Sequence, residues 1–244
     1  MKTMKHLAVA GLLGGSVLVS TPAMAELTGN AGVMSEYLFR GLTQGDGASV
    51  YGGIDYSHES GFYAGTWAAT INDFATGSNG DYGGGGAGAE MDFYAGFGGE
   101  IDALSYDLGV IYYWYSEEDE VDDPNESYNT VELYGSVGIS YFTLSTYYAP
   151  DSYFGVDDSA YGVYGSASFP LNDILALDAA VGYNAGDGNE GLIGTGEDSY
   201  MEYNLGLSAS LDNGFGFGFG FVTTDIDNDD PKIVVDASYS FDLQ

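Results

Sequence analysis

The chain of 244 residues has no cysteine, five prolines, and only four lysine and arginine residues. The absence of cysteine excludes disulfide scaffolds, thiolate zinc sites and cysteine nucleophiles. The four cations stand against 37 acids, and a net charge of −33 excludes binding to a nucleic-acid backbone, which depends on Lys and Arg. Disorder is also disfavoured, because 45% of the residues are apolar and 15% are aromatic. What is abundant instead is glycine (39 residues) and tyrosine (22 residues).

Residues 1–25 have the composition of a secretory signal peptide. Lys2 and Lys5 form a positive start, a short apolar stretch covers residues 7–19, and Ala23-Met24-Ala25 fits a cleavage site. The apolar stretch is shorter than the roughly 20 residues that a spanning helix needs. We therefore predict a signal peptide at 1–25 and a mature domain at 26–244. Removing the two lysines takes the net charge from −33 to −35.

The mature chain alternates between apolar residues and small or polar ones, which is the pattern of strands with two different faces. The clearest case is Phe215, Phe217, Phe219 and Phe221, separated by single glycines. Segments of this kind predict about twelve strands. Their expected spans are 27–39, 48–58, 61–73, 88–99, 103–116, 127–140, 141–149, 158–169, 174–185, 198–212, 214–224 and 231–243.

The connections between these segments alternate strictly between long and short. Bacterial outer-membrane barrels show this order, because their periplasmic turns are short and their extracellular loops are longer. Aromatic residues also cluster near strand ends, for example at residues 112–115, 147–148 and 239–241, as interfacial girdles do. We therefore predict an all-β fold, a closed antiparallel transmembrane β-barrel of about 12 strands. A soluble β-sandwich is the alternative, since alternation alone requires only one apolar face.

The start of the mature chain resembles the TorF-type porin family. The resemblance is carried by residues 27–33, 35–41, 53–58 and 61–67, and it covers about the first forty-five mature residues. It implies a proteobacterial outer-membrane β-barrel with a role in transport, and it implies no particular substrate.

If the apolar faces point to lipid, the other face contains eight acids and two bases. We expect these residues to line a pore: Glu36, Arg40, Asp55, Asp92, Asp107, Glu132, Asp178, Glu202, Lys232 and Asp236. Rings of carboxylates select cations in pores. The sequence thus predicts an outer-membrane pore for passive diffusion of cations or small neutral solutes. Such a barrel would contact outer-membrane lipid, and a homo-oligomer is compatible with the sequence. The alternative is a non-conducting surface barrel whose acidic loops bind divalent cations or an envelope or cell-surface partner.

No metal, cofactor or catalytic residue is predicted. Asp225, Asp227 and Asp229 are weak metal candidates, because their spacing matches part of a calcium loop with Asp236 in the twelfth position. The sixth position is Asp230 rather than glycine, and Pro231 follows it. The only mature histidine, His58, falls in a short predicted turn, which disfavours a Ser–His hydrolase.

Overall fold

Of the fourteen strands in the described part of the chain, twelve close into one antiparallel barrel. The computed structural model describes residues 25–45, 47–71, 88–116 and 128–243, and residues 1–24 of the predicted signal peptide lie outside these ranges. The barrel strands are β1 (Glu26–Met34), β4 (Ser49–Ser57), β5 (Phe62–Ile71), β6 (Gly88–Ile101), β7 (Leu104–Tyr115), β8 (Thr130–Ile139), β9 (Phe142–Ala149), β10 (Ala160–Pro170), β11 (Leu175–Ala185), β12 (Ser199–Ser210), β13 (Phe215–Thr224) and β14 (Lys232–Asp242).

Each barrel strand pairs with its neighbours in sequence, and β1 pairs with both β4 and β14 to close the cylinder. A closed barrel leaves no strand edge with unpaired backbone groups. The prediction of a twelve-stranded antiparallel barrel is confirmed. The predicted strand spans hold to within a few residues, with the first strand as the exception.

The outer surface carries the large apolar side chains. Along β13 the four phenylalanines are exposed while the intervening glycines are buried, so the alternation read from the sequence separates outside from inside. Outward residues of the other strands are mainly Leu, Val, Ile, Tyr and Phe. A continuous exposed apolar band of this kind matches the lipid-facing surface of a membrane barrel.

The two ends of the barrel differ in their connections. The turn end has connections of two to four residues, and the turn residues Asp102 and Ser140 have positive φ angles of 57° and 56°. The loop end has the longer connections and includes a short helix, α1 (Asp187–Ile193), which was not predicted. β1 begins and β14 ends at the turn end of the barrel. None of the helices described is long and apolar enough to span a membrane.

Candidate functional site

The connection from β1 to β4 folds into the barrel rather than away from it. We call residues 35–48 the inner segment; residue 46 lies outside the described part of the chain. The predicted first strand, 27–39, was too long, because the wall strand ends at Met34. Beyond Met34, Ser35 makes a last pair of hydrogen bonds with the backbone of Val235, and the chain then leaves the wall.

A small hairpin forms the tip of the inner segment. It consists of β2 (Leu38–Phe39) and β3 (Leu42–Thr43), joined by Arg40 and Gly41. Both joining residues have positive φ angles, 53° and 79°, which two-residue turns of type I′ require. This turn places the Arg40 side chain inside the barrel.

Arg40 makes a bidentate ion pair with Glu132 of β8. Its two terminal nitrogens lie 2.6 and 2.8 Å from the carboxylate oxygens, and one of them also donates to the Tyr153 hydroxyl at 2.8 Å. The guanidinium carbon lies 3.2 Å from the centre of the Tyr147 ring. Arg40 is 8% exposed and Glu132 is 1% exposed, so the two charges compensate each other away from water.

Aromatic side chains fill the space around this ion pair. Phe39 packs edge-on against Tyr113 and Phe154, and Phe154 comes from the connection between β9 and β10. Tyr37 donates a hydrogen bond to Glu90 of β6, which also accepts one from Tyr115. Burial raises the pKa of Tyr37, and the nearby Glu90 carboxylate raises it further, so the phenol stays protonated as a donor. The inner segment is therefore attached to several parts of the wall.

Inward tyrosines lie flat over glycines of the neighbouring strand. In six directly paired positions, a Cβ atom added to the glycine would lie between 2.2 and 2.5 Å from the nearest atom of the tyrosine side chain. The pairs are Gly32 with Tyr51, Gly65 with Tyr94, Gly96 with Tyr63, Gly109 with Tyr134, Gly162 with Tyr147, and Gly182 with Tyr164. These contacts give six of the glycines and six of the tyrosines a shared structural role.

The hydroxyls of four of these tyrosines, and that of Tyr113, donate to carboxylates on other strands. Tyr51 donates to Asp236 at 2.9 Å and Tyr63 donates to Asp107 at 2.9 Å. Further bonds of this kind join Tyr94 to Asp55, Tyr113 to Glu132 and Tyr164 to Glu202. Neutral hydroxyl donors therefore satisfy most of the inward acids, so the barrel folds with few cations.

The turn half of the interior is lined by smaller polar groups. Asp178 accepts hydrogen bonds from Ser168 at 2.6 Å and from Ser208 at 2.7 Å. The inward positions of β13 here are glycines, and those of β14 are Ser238 and Ser240. Apart from Tyr63, which lies next to the 58–61 turn, the large aromatic side chains described above lie in the loop half or near the middle of the strands, so the two halves differ mainly in the size of their inward side chains.

Eight of the ten predicted pore residues lie on the inward faces of barrel strands. These are Asp55, Asp92, Asp107, Glu132, Asp178, Glu202, Lys232 and Asp236. Glu36 and Arg40 do not share a strand face, because the strand expected to carry them ends at Met34. Glu36 instead accepts a hydrogen bond from Thr43 at 2.7 Å within the inner segment.

The prediction missed one inward acid, Glu90. It lies two residues before Asp92 on β6, and the period of two that placed Asp92 inside also places Glu90 there. Counting it gives eight inward carboxylates on the described strands between the two rims. The described chain offers Arg40 and Lys232 to balance them, and Lys232 is paired with Asp229 at 2.5 Å.

The prediction that the whole aromatic cluster at residues 112–115 belongs to an interfacial girdle is wrong. Tyr112 and Trp114 face outwards, whereas Tyr113 and Tyr115 are buried inside. Tyr147 and Tyr148 divide in the same way. A run of consecutive aromatic residues on a strand must supply both faces, because successive side chains point in opposite directions.

The metal candidates do not converge on one point. Asp225 accepts a hydrogen bond from the Met201 backbone at 2.7 Å, and Asp229 accepts from Thr224 at 2.6 Å besides its pairing with Lys232. Asp227 is exposed. Within the described residues, no group of three or more metal-binding side chains is placed to hold an ion.

The model of the family described as "Bacterial protein of unknown function (Gcw_chp)" matches residues 20–242. The chain belongs to this family. The match covers the whole Gcw_chp barrel, including the inner segment and the acids that face it. The likeness to TorF-type porins in the first strands is not confirmed by it and stays an interpretation of those residues. Comparison with curated proteins gives no match.

The Gcw_chp barrel is similar in structure to solved porins. It matches the KdgM porin with a TM-score of 0.56 and 12% identity, covering 88% of this chain and 99% of that one. It matches the NanC porin with a TM-score of 0.54 and 10% identity, covering 89% and 100%. A further match is a KdgM porin in complex with disordered oligogalacturonate, with a TM-score of 0.55 and 10% identity, covering 89% and 99%. At these identities the similarity establishes the fold.

Proposed function

We propose that this Gcw_chp protein is an outer-membrane pore for the passive diffusion of small solutes, with a preference for cations and neutral molecules over anions. The observation that carries the proposal is the excess of acids inside a closed barrel. Eight inward carboxylates face two cations, one of which is held by Glu132 and the other by Asp229. A channel with acidic, low-dielectric walls concentrates cations and repels anions.

The outer surface and the connections support the location in the outer membrane. The apolar outward band suits contact with lipid, and the short and long connections would then lie on the periplasmic and extracellular sides. Transport rather than catalysis suits the interior. His58 lies in a turn, where its ring nitrogen contacts the Ser60 hydroxyl at 2.9 Å, and no hydrogen bond within the described residues joins its ring to an inward acid.

The charge of the interior also limits the kind of solute. The similar KdgM porin is described in complex with an oligogalacturonate, which is an acidic chain. The interior described above would repel such a polyanion. We therefore assign cations and neutral molecules to this pore, and we place its narrowest level where the inner segment contacts the wall.

A reversal potential in a salt gradient tests the proposal. For the refolded protein in a planar bilayer with a KCl gradient, we expect a cation-over-anion permeability ratio of roughly tenfold, because charged clefts raise the local counter-ion concentration by about that factor or more. Asp178→Asn should lower the ratio, and Glu59→Gln in an exposed turn should leave it unchanged. Preference for anions, or the absence of any conductance, would contradict the proposal.

A second function is favoured by a specific observation. The inner segment, Tyr153 and Phe154 together fill much of the loop half of the interior. A barrel closed in this way would serve as a surface protein whose acidic loops bind divalent cations or an envelope or cell-surface partner. The same bilayer measurement separates the two, since this function predicts no ion current while the folded barrel still shows heat-dependent mobility in gels.

A further inference from the structure

Asp92 differs from every other inward carboxylate. It is 6% exposed, its Oδ1 is buried without a partner, and neither of its oxygens accepts a hydrogen bond within the described residues. Asp107 and Asp236 also have one buried oxygen without a partner, but their other oxygen accepts a bond from a tyrosine. The other seven each have at least one protein donor, as the bonds to Asp55, Glu90, Asp107, Glu132, Asp178, Glu202 and Asp236 show. A buried carboxylate without a donor is costly, and such a group in a native protein calls for a partner from outside the chain.

The immediate neighbour of Asp92 is an aromatic cluster. Trp67 of β5 is its direct cross-strand partner, and both side chains face inwards. The Trp67 ring is packed edge-on against Tyr37 at 5.5 Å and lies 5.7 Å from the Tyr51 ring. The indole Nε1 is also buried without a partner. This part of the barrel wall thus combines a carboxylate with aromatic rings, and both the Asp92 carboxylate and the Trp67 indole N–H lack a hydrogen-bond partner within the described residues.

Neither cation of the described residues is paired with Asp92, because Arg40 pairs with Glu132 and Lys232 pairs with Asp229. The acids Glu90, two residues before Asp92 on the same face of β6, and Glu132 both act electrostatically on Asp92. The guanidinium of Arg40 donates to both oxygens of Glu132, and Glu90 is bound by tyrosine hydroxyls. A cationic partner would supply the compensation that these neighbours lack. A metal ion held by several side chains does not fit, because the described residues offer no set of three ligands.

We propose that Asp92, Trp67 and Tyr37 form a binding site for solutes that carry an organic ammonium group. The ammonium N–H groups would donate to the Asp92 carboxylate in charge-assisted hydrogen bonds. The rings of Trp67 and Tyr37 add cation–π attraction and cover the apolar part of the solute. The proposal rests on the proposed pore in one respect, namely that solutes enter the barrel interior.

The fluorescence of Trp67 gives a direct test. The chain has two tryptophans, and Trp114 faces outwards, so Trp114→Phe leaves Trp67 as the single reporter. Titration of the detergent-folded variant with n-butylammonium chloride should give a saturable change in emission. Asp92→Asn in the same background should weaken binding by roughly tenfold or more, since it replaces a charged acceptor by a neutral one and so removes the charge assistance. The matched control Asp173→Asn, in an exposed turn, should bind as before.

Two further titrations define the failures. An equal change in Trp67 emission with KCl would show an effect of ionic strength, and an equal change with n-butanol would show binding through hydroxyl or apolar groups. Either result overturns the proposal. Unaltered butylammonium binding in Asp92→Asn overturns it as well. If Asp92→Asn does not fold, Asp92→Ser takes its place, and the comparison of butylammonium with butanol on the unsubstituted site still decides. If the protein selects cations but does not bind butylammonium, the proposed site is wrong and the proposed pore function stands. If it binds butylammonium saturably but conducts no ions, the site stands and the pore function is wrong.

Discussion

Replacing Arg40 with methionine is expected to give the largest loss of stability of any single substitution in the barrel interior. Glu132 would be left with only the Tyr113 hydroxyl, 3.2 Å away, as a donor. Removing one partner of a buried ion pair costs about 3–5 kcal/mol, because the other charge stays buried without compensation. Denaturant titration of the detergent-folded protein, followed by the heat-dependent shift in gel mobility, measures this loss.

Two comparison variants show whether the buried charge is the cause. In Arg40→Met/Glu132→Gln no charge is left behind, so most of the lost stability should return. Lys232→Met removes the other cation of the described chain, whose partner Asp229 is three residues away near the rim, and such pairs contribute about 0–1 kcal/mol. If Arg40→Met is as mild as Lys232→Met, the ion pair does not hold the inner segment as described.

The same substitution should change the ion current. The Arg40 side chain ties the hairpin tip to β8 and to Tyr153, and the Tyr200 hydroxyl holds the Arg40 carbonyl at 3.0 Å. Without the guanidinium, the tip keeps mainly its backbone and aromatic contacts. We expect larger and less steady single-channel currents in Arg40→Met than in the unsubstituted protein. Unchanged currents would place the narrowest level of the pore away from the inner segment.

The wall of the barrel could be predicted from the sequence because its cause is local. Each strand must present apolar side chains to one side, and the period of two shows this within the strand itself. The β13 phenylalanines and their intervening glycines are the plainest example, and the structure places them outside and inside as expected. The alternation of long and short connections then specified closure, because it is the order that an up-and-down barrel produces.

The inner segment could not be predicted in the same way. The alternation of β1 weakens after Val33, because Ser35 falls at an outward position and Leu38 at an inward one, but no proline or turn sequence ends the strand at Met34. What draws the chain inwards is tertiary: Glu132 for Arg40, Glu90 for Tyr37, and Phe154 for Phe39. Arg40 lies 92 positions from Glu132 in the chain. The tyrosine–carboxylate bonds could not be predicted either, because they depend on the register between strands.

The tyrosine–glycine contacts lead to the second prediction, Gly182→Ala. A Cβ atom at residue 182 would lie 2.2 Å from the Tyr164 ring, far inside van der Waals contact. The ring cannot move without loosening its hydrogen bonds to Asn184, at 2.6 Å, and Glu202, at 3.1 Å. Inserting a methyl group into a packed interior costs typically about 1–3 kcal/mol, and we expect the upper part of this range from denaturant titration.

Gly165 on the paired strand is the matched control. A Cβ atom there meets no atom within 4 Å, so Gly165→Ala should be neutral or slightly stabilising, because it only restricts the unfolded chain. If the contact with Tyr164 is the cause, Gly182→Ala should cost much less in a Tyr164→Ala background, and a double-mutant cycle measures the difference. Additive effects of the two substitutions would mean that the glycine is needed for another reason. A strong coupling would show that the tyrosines require these glycines, and so would link the composition of the chain to the register of its barrel.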